Sequence, residues 1–301
     1  MTVEMMLKLF FAEMSGELAA TTIETYRYAL DNMRDYLGGD TTVTAVSRAD
    51  LVQWRAQQVE KRSVASANTY IRIACRFWNW VVEWFQEDGE EFRSPARRLK
   101  PLRTESQEPK AIEYDDVMRL IAEAYRDGNL RNQALVLFLF STGGRVGGLV
   151  GLTMDNLELD AGRAWVVEKG EKGRYVYLPE ITITAVSDYI RYQRPKVRDP
   201  HVFLSNRRKP LTRQGVWYAL KTLAAKAGID GPCNPHSFRH AFAITYLKNG
   251  GDLSSLSRIL GHANIGVTHQ SYCRWADGEL QEMHARHNPL SQLSLIEVEK
   301  K

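Results

Sequence analysis

The chain has 301 residues, of which 44% are hydrophobic, and a formal net charge of +4. This length suffices for one large domain or two ordinary ones. Its longest apolar run, residues 134–140, is far short of the roughly 20 residues that span a bilayer, and its three scattered cysteines exclude a disulfide framework or a cysteine zinc site. We therefore expect a soluble cytoplasmic protein, and the positive charge is compatible with a polyanionic partner.

The first 92 residues predict a small bundle of helices. Apolar residues recur at helical spacing, as at Tyr26, Leu30 and Met33, without the alternation of a strand. Ser47 is a candidate N-cap, with Asp50 in the first turn of the helix that follows. We interpret residues 1–92 as a helical N-terminal domain.

The stretch "SVASANTYIRIACRFWNWVVEWF" predicts one long helix with an aromatic stripe. Bases of nucleic acid stack on aromatic rings, but rings at helical spacing more commonly pack inside a protein. We therefore predict that the stripe lies in the core or between domains. Its members are Trp78, Trp80, Trp84 and Phe85.

Residues 93–110, "RSPARRLKPLRTESQEPK", predict a basic interdomain linker. The segment contains three prolines, has no apolar periodicity and contains no acidic residue before Glu105. It is either a solvated tether or a segment that also lies along DNA phosphates. The candidate DNA-binding residues are Arg97, Arg98, Lys100 and Arg103.

After the linker, the pattern predicts helices interrupted by one small sheet. Two helices come first, of which the second, around "ALVLFLF", is buried nearly all round. In "GRAWVVEKGEKGRYVYLP", two β-rich runs flank a Gly-Lys-rich turn, which is typical of a β-hairpin. Helices resume from Glu180. We divide this part of the chain into a second domain, residues 111–289, and a C-terminal tail, residues 290–301.

Polar residues that could take part in catalysis lie in four stretches of the second domain. His236 and Arg239 in "HSFRH" are one helical turn apart, so that both can reach one anion. The other candidates are Arg145 in "STGGRVGGL", Lys169 and Lys172 in "VEKGEKGR", and His262 and Tyr272 in "LGHANIGVTHQSY".

In this order and spacing, the motifs closely resemble those of the tyrosine recombinase (phage integrase) family, most of all its Xer-type members. The resemblance covers the linker and everything after it, and the N-terminal helices look like the family's SAM-like core-binding domain. It implies a mainly α (α+β) protein: a helical core-binding domain and a mixed α/β catalytic domain with a small antiparallel sheet, together forming a C-shaped DNA clamp. The implied catalytic residues are Arg145, Lys169, His236, Arg239, His262 and Tyr272.

The implied activity is cleavage and rejoining of duplex DNA through a 3′-phosphotyrosine intermediate. A phenol has an ordinary pKa near 10 and is a poor nucleophile toward an anionic phosphodiester. Arg145 and Arg239 can hold the two non-bridging oxygens of the phosphate. By the resemblance, Lys169 protonates the leaving 5′-oxygen, His236 assists proton transfer and His262 donates to a phosphate oxygen. No metal or other cofactor is needed in this scheme.

Several assignments have alternatives. Lys172 lies in the same turn as Lys169 and could be the acid instead. His236 and His240 at positions i and i+4 could be zinc ligands, but the motif lacks the HExxH glutamate and an evident third ligand. We interpret His240 as structural.

The chain departs from the family pattern near two site residues. Gly148 replaces a usual glutamate and Gly144 a common leucine, which bears on how rigidly Arg145 is held. Tyr272 follows His262 by ten residues instead of nine, and one extra helical residue rotates a side chain by about 100°. We expect a loop or bulge between His262 and Tyr272 to absorb this residue, with the glycine of "NIGVTHQ" as the candidate position.

Three functions compete at this point. The first is a site-specific recombinase, which integrates, excises or resolves DNA at core sites with inverted repeats and acts as a homo-tetramer in the synaptic complex. The second is a type IB topoisomerase-like enzyme, which uses the same tyrosine chemistry without exchanging partners. The third is a non-catalytic regulator, since residues 253–272 also match a helix-turn-helix. The motifs outside that segment favour the first.

Overall fold

The computed structural model describes residues 1–87, 89–103, 110–167, 173–262, 264–277 and 284, with the backbone alone for 273–277. The chain divides into two compact units, Met1–Gln107 and Glu108–Lys301. Among the described residues, no helix is both long and apolar enough to cross a membrane.

The described residues of the N-terminal unit form a bundle of four α-helices. They are α1 (Val3–Met14), α2 (Ala20–Leu37), α3 (Arg48–Lys61) and α4 (Val64–Glu87). The predicted cap of α3 is confirmed as a capping box, in which Ser47 and Asp50 bind each other's backbone N–H groups. The predicted long helix is confirmed as α4.

The aromatic stripe of α4 packs inside this bundle. Trp78, Trp80 and Phe85 are buried, and Phe77 and Trp80 both contact Phe10 of α1, with ring centroids 5.6 and 5.3 Å apart. These rings are therefore core residues, as the sequence predicted, and are not available to stack on bases.

The first half of the predicted linker lies on the N-terminal unit. Ala96 and Leu99 are buried in its core. The side chain of Asn68 on α4 binds the backbone of Leu102 twice: its Oδ1 accepts from the N–H at 2.7 Å and its Nδ2 donates to the carbonyl at 3.0 Å. This anchoring leaves the four basic side chains exposed to solvent. They are Arg97, Arg98, Lys100 and Arg103.

The second unit contains eight helices and one sheet among its described residues. The helices are α5 (Tyr114–Arg126), α6 (Leu130–Thr142), α7 (Val146–Val150), α8 (Glu180–Asp188), α9 (Arg213–Lys226), α10 (Pro235–Lys248), α11 (Leu253–Leu260) and α12 (Ile265–Asp277). As predicted, α6 is buried nearly all round, and it packs against α5, α8 and α10. A π-helical turn, Tyr189–Gln193, continues α8.

The sheet is antiparallel, with strand order β1 (Leu157–Glu158), β2 (Arg163–Val167) and β3 (Gly173–Tyr177). The predicted β2–β3 hairpin is confirmed, with Trp165 opposite Tyr175, whereas the short β1 was not expected. Ala164, Val166 and Val176 point to the core. The mainly α architecture with one small antiparallel sheet agrees with the fold class expected from the sequence.

Candidate active site

The buried guanidinium of Arg239 ties together three segments that are distant in sequence. α10 begins with a capping box between Asn234 and Ser237, which sets the direction of its first turns. From this helix, Nη1 of Arg239 donates to the carbonyl of Gly143 at 2.9 Å, and Nη2 donates to the carbonyl of Leu260 at 2.8 Å. The site thus joins α10 to the C-terminal ends of α6 and α11.

Arg239 also contacts His262 directly. Its Nη2 lies 2.8 Å from Nε2 of His262, and Nδ1 of His262 lies 2.6 Å from the hydroxyl of Thr268, which is fully buried. A guanidinium only donates hydrogen bonds, so Nε2 is the acceptor and the neutral imidazole carries its proton on Nδ1. In this arrangement His262 has no N–H directed at a phosphate. It must exchange its bond to Arg239 before it can donate to one.

Arg145 is the N-cap residue of α7 and lies two residues after Gly143. Gly143 ends α6 in the left-handed conformation, with a φ of +57°, and a Cβ there would lie 2.4 Å from the ring of Phe242. Only glycine fits this close turn. Because Arg239 binds the carbonyl of Gly143, the same turn brings the backbone of Arg145 close to Arg239.

His236 is exposed at the start of α10, one turn before His240. Burial lowers the pKa of His240, and the nearby His236 and Arg239 lower it further. His240 is therefore neutral at neutral pH. Among the described residues, no group of three or more histidine, cysteine or acidic side chains is arranged to hold a metal ion.

Tyr272 is buried, with 2% of its surface exposed, in a small cluster with Leu247, Leu256 and Leu260. Its hydroxyl lies 2.5 Å from Nδ1 of His240. Burial raises the pKa of the phenol to about 12, against the opposing effect of Arg239. The hydroxyl is therefore protonated and donates to His240, a contact that the sequence analysis did not foresee.

The expected bulge at Gly266 is absent, and that expectation was wrong. Asn264 starts α12: its carbonyl accepts from the N–H of Val267 at 3.1 Å and its Oδ1 from the N–H of Gly266 at 2.8 Å. The described helix is regular from Ile265 to Asp277. Thr268 and Tyr272, four residues apart, consequently share its inward face.

The hairpin approaches the site from the side of His262. A Cβ on Gly261, which has a φ of +65°, would lie 2.6 Å from Nε of Arg174 on β3. Arg174 thus packs against the residue that precedes His262. The tip of the hairpin, with Lys169 and Lys172, lies outside the described residues, as does the C-terminal tail.

Sequence reasoning interpreted His240 as structural and missed Thr268 and Arg174 as parts of this site. The spacing of Thr268 and Tyr272 on one helical face was a usable signal, as was the spacing of His236 and His240. By contrast, no pattern in the sequence indicates which carbonyl oxygens bind Arg239.

Known proteins resemble this chain in sequence over most of its length. Residues 110–279 match the model of the "Phage integrase family". The chain is 33% identical to the tyrosine recombinase XerD of Listeria monocytogenes serotype 4b (strain F2365), over 93% of this chain and 97% of the relative. It is 32% identical to XerD of Shewanella oneidensis (strain MR-1), over 91% and 93%.

Solved structures share the fold. The XerA recombinase is 27% identical, with a TM-score of 0.53, over 94% of this chain and 98% of that one. The Tn1549 transposon integrase in complex with transposon right end DNA is 18% identical, with a TM-score of 0.77, over 94% and 99%. XerH bound to its palindromic difH substrate is 18% identical, with a TM-score of 0.73, over 88% and 79%.

Proposed function

Because the chain belongs to the phage integrase family and is a site-specific tyrosine recombinase that cleaves and rejoins DNA, we propose that Tyr272 is its nucleophile. Tyr272 would attack a phosphodiester to give a 3′-phosphotyrosine and a free 5′-hydroxyl. One phosphodiester replaces another, so a second strand can reverse the step without ATP. The residues that we propose to act with it are Arg145, Lys169, His236, Arg239 and His262.

The observation that carries this proposal is the convergence of three separated segments on Arg239. Its partners are Gly143, 96 residues away, and His262, 23 residues away. A buried cation is costly unless several acceptors surround it. The fold therefore holds one guanidinium beside His262 and beside the turn that leads into Arg145, an arrangement that suits an anionic substrate group.

Arg145 and Arg239 would bind the two non-bridging oxygens and neutralise the charge that develops as phosphorus becomes five-coordinate. When the phosphate enters, it would replace His262 as a partner of Arg239. His262 could then donate to a phosphate oxygen, while His236, at the exposed end of the site, would assist proton transfer. The cationic side chains supply the charge that metal ions supply in other phosphoryl-transfer enzymes.

Lys169 would protonate the leaving 5′-oxygen. The proximity of Arg174 to Gly261 supports this proposal, because it shows that β3 runs beside the turn that carries His262. Lys169 precedes Arg174 by five residues. Lys172 remains the alternative acid in the same turn.

Duplex DNA would dock on exposed cations of both units. Next to the site, α9 carries Arg213, Trp217 and Lys221 at four-residue intervals, all exposed, with Nζ of Lys221 5.5 Å from the Trp217 ring centroid. A Cβ at Gly147 of α7 would lie 3.1 Å from Arg213, so this stripe adjoins the helix that Arg145 caps. In the N-terminal unit, the exposed cations of residues 97–103 would contact further phosphates.

The proposed target is a core site with inverted repeats, bound by two protomers, with a homo-tetramer in the synaptic complex. The motivation is the apolar composition of the tail, residues 290–301, which contains Leu290, Leu293, Leu295 and Ile296. Deletion from Leu290 should leave binding to a single site intact and abolish synapsis, as measured by gel mobility. Unchanged recombination by the truncated chain would exclude this role of the tail.

A nicked suicide substrate that carries the protein's own core site tests the nucleophile. In excess EDTA, we expect a covalent adduct on Tyr272, located by peptide mapping and absent from Tyr272→Phe although that variant still binds DNA. Joining of the trapped strand to a second duplex separates a recombinase from an enzyme that only relaxes supercoils. An adduct on another residue, or none on the cognate site, would refute the assignment.

A further inference from the structure

We propose that His240 is a positioning residue of Tyr272: it holds the hydroxyl, protonated and buried, in a resting position from which the phenol must be released before it can attack. The inference rests on the proposed role of Tyr272 as nucleophile. It concerns the free protein, and it assigns a function to a histidine that the motif pattern leaves without one.

The first step of the argument is the burial of the hydroxyl. With only 2% of Tyr272 exposed, water does not satisfy its hydroxyl, and a buried unpaired hydroxyl is costly. Nδ1 of His240 at 2.5 Å satisfies it. Apolar side chains that pack with the ring include Ala243, Leu247 and Leu256. The bond to His240 therefore stabilises the buried position of a hydroxyl that lies in a largely apolar cluster.

The second step is the direction of the bond. The phenol is protonated and His240 is neutral, because burial disfavours the charged form of each. Tyr272 accordingly donates, and Nδ1 of His240 accepts. The same bond keeps the phenol in the form that is the poorer nucleophile.

The third step is access. A nucleophile has to approach the phosphorus to about 3 Å, whereas a hydroxyl covered by α10 and α11 cannot meet the backbone of a duplex on the surface. His236, one turn from His240 on the same face of α10, is exposed. The partner of the resting hydroxyl thus lies one helical turn from an exposed residue of the proposed site, and α12 must move for the phenol to reach a phosphate.

The fourth step is the size of the cluster that holds α12. Among the side chains that the structure describes, its buried members are Ala243, Leu247, Leu256, Leu260 and Tyr272 itself, fewer than those of the main core. Segments with few buried apolar contacts open at low free-energy cost. Because the described apolar contact is small, loss of the hydrogen bond to His240 should appreciably raise the population of the state in which Tyr272 is released.

The experiment measures the reactivity of the Tyr272 phenol toward N-acetylimidazole in the full-length free protein. Trypsin releases Tyr272 in the peptide of residues 259–274, where it is the sole tyrosine. His240→Leu removes the acceptor and should raise the acetylation rate about tenfold, the effect of one lost hydrogen bond. His240→Asn retains an acceptor near the position of Nδ1 and should stay within about threefold of the parent protein.

Tyr189 provides an internal control, because it is 1% exposed in the same unit and its hydroxyl accepts from the N–H of Leu204 at 3.1 Å. Its acetylation, located by fragment ions, should not change in either variant. A parallel rise at Tyr189 would mean that His240 supports the fold in general and would overturn the inference. An unchanged rate at Tyr272 in His240→Leu would overturn it as well.

The second readout is the rate of adduct formation on the nicked core site, which should also rise in His240→Leu because release of the phenol precedes attack. A slower adduct despite faster acetylation would overturn the resting role and point to proton acceptance by His240 during the reaction. If the parent protein forms no adduct while acetylation still responds to His240, the docking of Tyr272 stands and the proposed function fails.

Discussion

Arg239 and His262 contact each other directly, Nη2 to Nε2, across 2.8 Å. Two residues that are proposed to bind a phosphate therefore satisfy each other in the free protein. The same bonds that prepare the site also stabilise the fold, because Arg239 holds the carbonyls of Gly143 and Leu260. Activity and stability should consequently be linked at this position.

Arg239→Met should lower the free energy of unfolding by roughly 2–4 kcal/mol, since it leaves two buried carbonyls without a donor. Arg239→Met should fail to cleave DNA. Arg239→Lys retains the charge but loses the planar guanidinium fork, so it too should fail to cleave DNA. Urea denaturation and the suicide-substrate assay measure the two effects. Arg213→Met, at an exposed arginine of the same unit, should change stability by less than about 0.5 kcal/mol. Equal stability of the two methionine variants would contradict the structural role of Arg239.

Thr268→Val should impair cleavage more than it impairs binding, because the Thr268 hydroxyl orients His262 through Nδ1. The loss of stability should be about 1 kcal/mol. Thr182→Val is the matched control: Thr182 is equally buried, and its hydroxyl donates to the hydroxyl of Ser141 at 3.1 Å, outside the site. Both variants should lose similar stability, and only Thr268→Val should lose cleavage. If both cleave equally well, Thr268 has no role beyond packing.

Alkaline pH should destabilise the parent protein more than Tyr272→Phe. The phenol of Tyr272 has a pKa of about 12 in the folded state and an ordinary pKa near 10 when unfolded. Its contribution is fully present below pH 10 and is lost as the pH rises to about 12, which amounts to about 2–3 kcal/mol. Urea midpoints between pH 7 and 11 measure the first half of this loss, about 1.4 kcal/mol. Tyr177→Phe, at an exposed tyrosine, should follow the parent protein, and identical pH profiles for all three would contradict the burial of Tyr272.

Replacement of Arg97, Arg98, Lys100 and Arg103 by alanine should weaken DNA binding and reduce the slope of log affinity against log salt by about 3–4. Asn68→Ala tests the position of the four cations separately from their charge, because it releases the backbone of Leu102 and removes no cation. It should lower affinity and leave the slope unchanged. An unchanged slope in the variant with all four replacements would show that the linker is only a tether and does not contact phosphates.

Lys169→Ala should lose cleavage of an ordinary substrate and regain it on a substrate with a 5′-thio leaving group, which needs little protonation. The rate of adduct formation measures both. Lys172→Ala is the matched control from the same turn and should need no rescue. Rescue of Lys172→Ala in place of Lys169→Ala would transfer the role of the acid to Lys172.

The sequence alone predicted the elements whose signals are local. The cap at Ser47, the long α4 and the β2–β3 hairpin all depend on residues within a few positions of one another, so propensity, capping and turn chemistry determine them. The order and spacing of the site motifs likewise indicated the family. At Gly266 the same reasoning failed, because Asn264 starts a regular helix there and no bulge forms.

Only the tertiary structure decided how the site residues meet. Arg239 binds the carbonyls of Gly143 and Leu260, and backbone carbonyls carry no residue-specific signal, so the sequence cannot indicate them. Tyr272 and His240 lie 32 residues apart on different helices, and their 2.5 Å contact depends on how α12 packs against α10. The sequence determined which chemical groups this protein possesses. Packing between distant helices decided that Tyr272 rests buried against a neutral histidine, because burial sets both the partner of a hydroxyl and its pKa.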